Sequence, residues 1–291
     1  MLTILFDGMA YGMLLFILAV GLAVTMGLMN FINLAHGAFA MAGGYVMVVL
    51  MQRYDVPFLL CLPAAFGTAA LVGALLERTL YRPMYSKPHL DRVLFSIGLT
   101  FMAVAGMDDV MGSSQQIVQL PEWLKGRTEL GEGAWMLGMG HYRLFIIAVC
   151  AALTVALQYI LTRTRFGSRL RASVDDQRVA AGLGINVNVV FLSTFAVGSG
   201  LAGLGGALGA EVLGLDPSFP LKFMVYFLIV VAVGGTSSIT GPLLAALLLG
   251  VADVAGKYYI PRFGAFIVYG LMIIILIWRP QGLFVRTGGK A

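Results

Sequence analysis

The sequence predicts an all-α integral membrane protein, a polytopic helical bundle of about 8–9 spans. Three observations predict it. Of the 291 residues, 59% are hydrophobic and only 11% are charged, against roughly 25% charged in a soluble domain. Apolar runs close to the ~20 residues a helix needs to cross a bilayer recur along the chain. The basic residues collect in the links between runs, not inside them. With a mean hydropathy of +0.91, such a chain cannot cover its apolar atoms with polar surface, so the bilayer is its solvent. No length is left for a soluble domain, and residues 1–291 read as one transmembrane domain. The net charge of +5 does not point to nucleic acid, because the basic residues lie in loops, where they set orientation.

The runs fall at about 8–29, 37–51, 58–76, 93–105, 144–161, 189–210, 223–233, 243–255 and 266–278. Several are short, which allows broken or re-entrant segments. No Lys or Arg precedes the first run, so no cleavable signal peptide is expected. Loop 77–92 holds Arg78, Arg82, Lys87 and Arg92, loop 163–188 is richer still, and the tail carries Arg279, Arg286 and Lys290. Cytoplasmic loops hold the excess of Lys and Arg. That places the N-terminus outside and the C-terminus in the cytoplasm. Loop 111–142 is then extracytoplasmic, and its Trp123 and Trp135 suit the membrane interface. It also holds Gly131 and Gly133.

The run at 189–210 carries Gly198, Ala202, Gly206 and Ala210 at every fourth position, with Gly205 and Gly209 beside them. Ala40 and Gly44 repeat the spacing in the second run. Small residues so placed let helix backbones approach closely, where lipid gives no hydrophobic drive. Cys61 and Cys150 lie in apolar runs without metal-ligand spacing and read as small buried hydrophobes.

The most charge-dense stretch is 163–187, RTRFGSRLRASVDDQRVAAGLGINV. Arg163, Arg165, Arg169 and Arg171 lead it. Ser173 followed by Asp175 and Asp176 resembles a capping box, with acids at the positive end of the helix dipole. Gly182 and Gly184 read as the stop. The expected helix is roughly two turns, on the order of 12 Å, and too short to stand alone in water. Two readings stand: a solvated loop with a frayed turn, or a docking helix that hands force from a soluble partner to the spans.

Several chemistries are excluded. Gly198-Ser199-Gly200-Leu201-Ala202-Gly203 matches G-x-G-x-x-G but sits inside an apolar helix, not at a strand-to-helix turn. No G-x-x-x-x-G-K-[ST] occurs, and the glycine cluster 234–241, with Thr236 and Ser237, has no lysine to reach a phosphate. The chain therefore cannot hydrolyse ATP by a P-loop mechanism, and no cofactor bound by the chain itself is expected. If nucleotide drives it, another subunit supplies the site. His36, His89 and His141 lie far apart, so no catalytic residues and no metal site are expected. Glu77 falls at an inner end, and Asp108, Asp109, Glu211, Asp216 and Asp253 near outer ends. That weighs against an ion-coupled carrier or an ion filter.

The polar residues expected inside the bilayer are Asn30, Asn33, His36, Ser96, Thr100, Ser193, Thr194 and Ser199. Such groups usually bond to a neighbouring helix or to backbone. Asn33 to Gly37 differs, being a polar break between two runs with no hydrophilic loop. Irregular backbone there is tolerated where it is buried or lines a cavity.

Met29-Asn30-Phe31-Ile32-Asn33-Leu34-Ala35-His36-Gly37, followed by Ala42-Gly43-Gly44-Tyr45, resembles the first-span signature of LivH-type permeases of branched-chain amino acid ABC importers. Glu77-Arg78 with Tyr81-Arg82-Pro83 is similar to their first cytoplasmic loop. Arg163 to Gly167, Arg171-Ala172, Asp176, Ala180-Ala181 and Leu183 to Val187 resemble their coupling loop. Gly234-Gly235 to Gly241 and Arg279-Pro280-Gln281-Gly282-Leu283-Phe284 match the late motifs. The resemblance implies a bacterial inner-membrane subunit cycling by alternating access. Its partners would be a second, LivM-like permease, a pair of ATP-binding subunits and a periplasmic solute-binding protein. It places the docking helix at 173–184, with Arg171, Ser173, Asp175, Asp176, Arg178, Ala180, Gly182 and Gly184 at the ATPase contact. The expected substrate path carries Asn30, Asn33, His36, Gly37, Ser96, Thr100, Ser193 and Thr194. The other reading is a stand-alone secondary transporter or channel for a small neutral solute such as urea or an amide. A membrane enzyme has almost no support.

Overall fold

The computed structural model describes residues 1–29, 31–130, 137–235, 238–279 and 282–283. Asn30, Gly131, Gly133, Trp135, Thr236, Ser237, Pro280, Gln281, Phe284, Arg286 and Lys290, all named above, lie outside the described residues. The helices are α1 (Leu2–Met29), α2 (His36–Tyr54), α3 (Phe58–Leu76), α4 (Arg82–Met84), α5 (His89–Met111), α6 (His141–Arg163), α7 (Arg165–Asp175), α8 (Gln177–Gly182), α9 (Val187–Leu213), α10 (Phe219–Gly234), α11 (Thr240–Tyr259) and α12 (Gly264–Trp278). Among the described residues, 6 helices are long and apolar enough to cross a membrane, and α10 and α12 add shorter apolar helices. The chain is an all-α, multi-pass membrane protein.

A small antiparallel hairpin, β1 (Arg127–Leu130) with β2 (Leu137–Gly140), was not expected from the sequence. It marks one end of the bundle, the hairpin end. Thr3 Oγ1 accepts from the Gly138 amide at 3.0 Å, and Asp7 pairs with Arg143, which ties the start of α1 to that end. The opposite end carries α4, α7 and α8 with their arginines and is called the basic end.

Helices α5 and α6 run several residues past the apolar runs that announced them. Asp91 and Arg92 begin α5, and Asp108 and Asp109 end it. Hydropathy marks only the part a bilayer core would hold, and a helix continues beyond it.

Helix α9 is the centre of the packing. It lies against α1, α2 and α3, and its residues from Gly198 to Ala210 are all buried. A Cβ on Gly21 would collide with the Gly198 carbonyl, one on Gly43 with the Gly203 backbone, and one on Gly206 with the Ala40 carbonyl. The small side chains of α9 are thus the contact surface of two helix pairs, α1 with α9 and α2 with α9. Helices α1 and α11 meet the same way. A Cβ on Gly8 would lie 2.6 Å from Val251 Cα, and one on Gly12 would lie 2.8 Å from Leu247 Cα.

Two helices begin inside the bundle. His36 opens α2, yet its Nε2–H donates to the Leu18 carbonyl at 2.9 Å. Leu18 lies about 16 Å before the end of α1 at 1.5 Å per residue. Pro220, at the start of α10, packs on the start of α2: a Cβ on Gly37 would be 2.9 Å from Pro220 Cα. The segment leading into α10 is tied by Asp216, whose Oδ1 accepts from the Ser218 amide at 2.8 Å and whose Oδ2 pairs with Lys222. Burial pushes the Asp216 carboxyl up, but the Lys222 ammonium and the Ser218 donors outweigh it and hold it below the usual carboxylate range.

Filling one of the α9 contacts tests the packing. Gly206→Val is expected to cost about 1–3 kcal/mol or more through overpacking, read as a fall of several degrees in the melting temperature of the purified protein. Gly67→Ala, at a position with no neighbour within 4 Å, is expected to leave melting unchanged. Equal melting of the two variants would contradict close backbone contact at Gly206.

Candidate functional site

The break between α1 and α2 is closed by its own residues. Asn33 is 1% exposed, and its Oδ1 accepts from the Ala35 amide at 3.1 Å and from the Tyr81 hydroxyl at 2.9 Å. The backbone adds His36 N–H to Asn33 O at 3.2 Å and Ala38 N–H to Ala35 O at 2.9 Å. His36 is 2% exposed and stands edge-on to Phe39 and Phe227. Non-helical backbone persists here because its polar groups are satisfied inside the protein.

Tyr81 ends a π-helical turn, Glu77–Tyr81, that continues α3. Its ring lies 5.5 Å from Phe31, 5.3 Å from Phe95 and 4.8 Å from Phe195, centroid to centroid. Tyr85 packs edge-on to Phe31 and Phe191 and donates to Glu77 at 3.1 Å. Burial and the Glu77 carboxylate hold the Tyr85 phenol well above its ordinary range. Phe191 belongs to a small cluster with Leu170 of α7 and Val190 of α9. A column of rings thus runs from the break at Asn33 to Phe191 of α9, and the cluster with Leu170 joins it to α7. Sequence reasoning missed Tyr81 and Tyr85 as members of the site. The signal for Tyr81 was an aromatic with a hydrogen-bonding tip at the end of an apolar run.

The basic-end segment differs from the expected single helix over 173–184. It is two helices, and Ser173 does not start the second. Ser173 is buried inside α7, and its hydroxyl donates to the Arg169 carbonyl at 2.8 Å. Thr164 caps α7 by accepting from Gly167 N–H at 3.3 Å. Asp176 is the N-cap of α8, accepting from Arg178 N–H at 2.8 Å and Val179 N–H at 3.0 Å. An aspartate flanked by a Ser three residues before and a free helix start after serves the second role better, because its carboxylate reaches two orphan amides. Gly182 is the last residue of α8, not its stop. Gly184, at φ +82°, is the stop: its amide bonds Ala181 O at 3.0 Å while Ile185 N–H bonds Ala180 O at 3.1 Å. That is a Schellman closure. Arg171, Asp175 and Arg178 are exposed and Ala180 is buried. Val179 and Leu183, one turn apart on this polar segment, are 59% and 75% exposed. The sequence reading passed over both.

The remaining path residues fall in two other places. Ser96 and Thr100 are buried on α5, where their hydroxyls donate to the Val93 carbonyl at 2.9 Å and the Ser96 carbonyl at 2.8 Å. Beside them a cavity of about 300 Å³ lies between α2, α3 and α5, walled by Ala35, Phe39, Val72, Leu76, Leu99 and Ala103. Ser193 and Thr194 line a second cavity, of about 240 Å³, between α1, α6, α7 and α9. Thr194 donates to the Val190 carbonyl at 2.8 Å. Asp253 is not solvated at a helix end. It is 1% exposed inside α11, bonded to Lys257 Nζ at 2.6 Å and to the Tyr226 hydroxyl at 3.3 Å.

The fold, the self-closed break and the two short helices at the basic end define a multi-pass helical membrane protein. The chain matches the family described as "Branched-chain amino acid transport system / permease component" over residues 4–276, and it belongs to that family. It is 28% identical to the high-affinity branched-chain amino acid transport system permease protein BraD of Pseudomonas aeruginosa, over 97% of this chain and 95% of that protein. It is 26% identical to LivH of Escherichia coli, over 97% and 94%. LivM of Escherichia coli matches at 28%, over 94% of this chain and 68% of that protein. No solved structure matches the chain.

The Asn33–Tyr81 bond can be measured. Tyr81→Phe and Asn33→Ala are each expected to lower stability, the first by about 1 kcal/mol. The double variant should cost less than the sum, because the two share one bond. Strict additivity in chemical denaturation would show that the hydroxyl does not hold the break.

Proposed function

We propose that the chain is the membrane-spanning subunit of a bacterial ABC importer for branched-chain or other apolar amino acids. Residues 1–291 act as one permease domain in the inner membrane, with about 8–9 crossings. The hairpin end and the N-terminus face outside, and the basic end and the C-terminus face the cytoplasm. A second, LivM-like permease completes the path, and a periplasmic binding protein delivers solute to the 111–142 side. A pair of ATP-binding subunits supplies the energy, and this chain binds no cofactor. Membership of the family and the similarity to BraD, LivH and LivM support this reading.

The observation that carries the mechanism is the basic-end segment. Caps at Asp176 and Gly184 fix a helix too short to stand alone, and it presents Val179 and Leu183 to solvent. An exposed aliphatic pair on a polar segment fits the cleft of a soluble partner. Movement of α7 and α8 reaches Asn33 through Phe191, Tyr85, Phe31 and Tyr81. The first cavity wall beyond the break is apolar, as an aliphatic side chain requires. A stand-alone carrier driven by ions needs an ionisable group on the path. Among the described residues Asp253 and Glu77 are buried acids: Lys257 pairs with the first, and the second accepts from the Tyr85 hydroxyl near the basic end.

Reconstitution with the partner subunits tests the reading. ATP-driven leucine uptake is expected to fall at least tenfold in Val179→Asp and Leu183→Asp. Capture of the loaded binding protein should be retained. A membrane-impermeant maleimide should label Leu183→Cys only from the cytoplasmic side. Uptake that follows a proton gradient in vesicles lacking the ATP-binding subunits would establish the stand-alone carrier instead.

A further inference from the structure

A cavity of about 640 Å³ opens at the basic end between α1, α6 and α7. Its size lies within the ~300–1,000 Å³ of small-ligand sites. Val24 of α1, Leu161 of α6, Leu170 and Val174 of α7 and Ile239 before α11 make its walls aliphatic. It shares Val24, Leu161 and Leu170 with the 240 Å³ cavity that reaches inward to Thr194, so the two form one groove.

Arg171 and Asp175 both line this groove, one turn apart on α7. Among the described residues no ion pair joins them to each other or to a third group. An acid placed one turn after a base is the poorer order for pairing within a helix. Arg171 Nη1 instead donates to the Leu161 carbonyl, which fixes the guanidinium at the mouth and leaves its other N–H groups unspent. The groove therefore presents one cation, one anion and an apolar interior, with Gln158 and Thr162 as neutral hydrogen-bonding groups.

We infer that this groove binds a zwitterion with an aliphatic side chain, an α-amino acid of the class the importer delivers. The carboxylate meets Arg171, the ammonium meets Asp175, and the side chain points toward Val24 and Leu170. This rests on the transport reading above. Asp176 alone separates α7 from α8, so an occupied groove ties the coupling segment to α1 and slows its movement. Internal product thereby restrains further import. A zwitterionic phospholipid has a related charge pattern, and the test separates the two.

Saturation-transfer NMR of leucine against the purified complex, without binding protein or nucleotide, reads the groove directly. Wild type is expected to give a saturable signal. Arg171→Gln and Asp175→Asn should weaken binding at least tenfold, Asp175→Asn with melting unchanged, and Asp175→Glu should recover part of it. In vesicles, luminal leucine should inhibit ATP-driven uptake by wild type, and the groove-filling Val24→Phe should remove that inhibition. Failure of uptake with an empty lumen sinks the transport reading. Normal uptake that ignores luminal leucine, or binding unaltered in both Arg171→Gln and Asp175→Asn, overturns the groove. A bound phospholipid that leucine does not displace also overturns it.

Discussion

Everything in this fold depends on how closely α9 can approach its neighbours. The contacts at Gly21–Gly198, Gly43–Gly203 and Ala40–Gly206 are backbone against backbone. Lipid tails are as apolar as leucine, so burying a leucine between helices gains little from solvent. What remains is dispersion between well-packed atoms, which falls off steeply with separation. Glycine at these positions removes the side chains that would hold the helices apart. The same closeness lets His36 reach the Leu18 carbonyl and brings the starts of α2 and α10 together at Gly37 and Pro220.

The broken helices are costly only if their polar groups go unpaired. Asn33 meets that demand with a side chain that imitates a turn of backbone and takes a second proton from Tyr81. Because Tyr81 belongs to the π-helical turn that ends α3, the break is anchored to the basic end rather than to lipid. Glu77, Tyr85 and the surrounding rings continue that anchor to α7.

Much of this was legible in the sequence. The apolar runs located the long helices, and 58–76 coincides with α3. The four-residue glycine spacing announced the α9 contacts, and Gly184 announced the stop of α8. The polar stretch at Asn33–Gly37 announced a break. What was not legible depends on three-dimensional neighbours. Ser173 carries the pattern of a cap, but Leu170 packs α7 against α9 and turns Ser173 inward. Asp253 sits where an interfacial acid is expected, but Lys257 and Tyr226 allow it to be buried. The hairpin has no alternating apolar pattern long enough to announce strands. The polar residues grouped as one path sit at the break, on α5 and on α9, where Ser96, Thr100 and Thr194 bond to the backbone of their own helices.

Gln116 donates its amide to the Leu215 carbonyl at 2.7 Å, and the Leu215 side chain lies against Gly44. The loop after α5 is therefore stitched to the strand of chain that feeds α10. This tie lies apart from the aromatic column. The start of α10 is thus fastened toward the hairpin end, while the break before α2 is fastened toward the basic end, and Gly37 and Pro220 meet between the two anchorages.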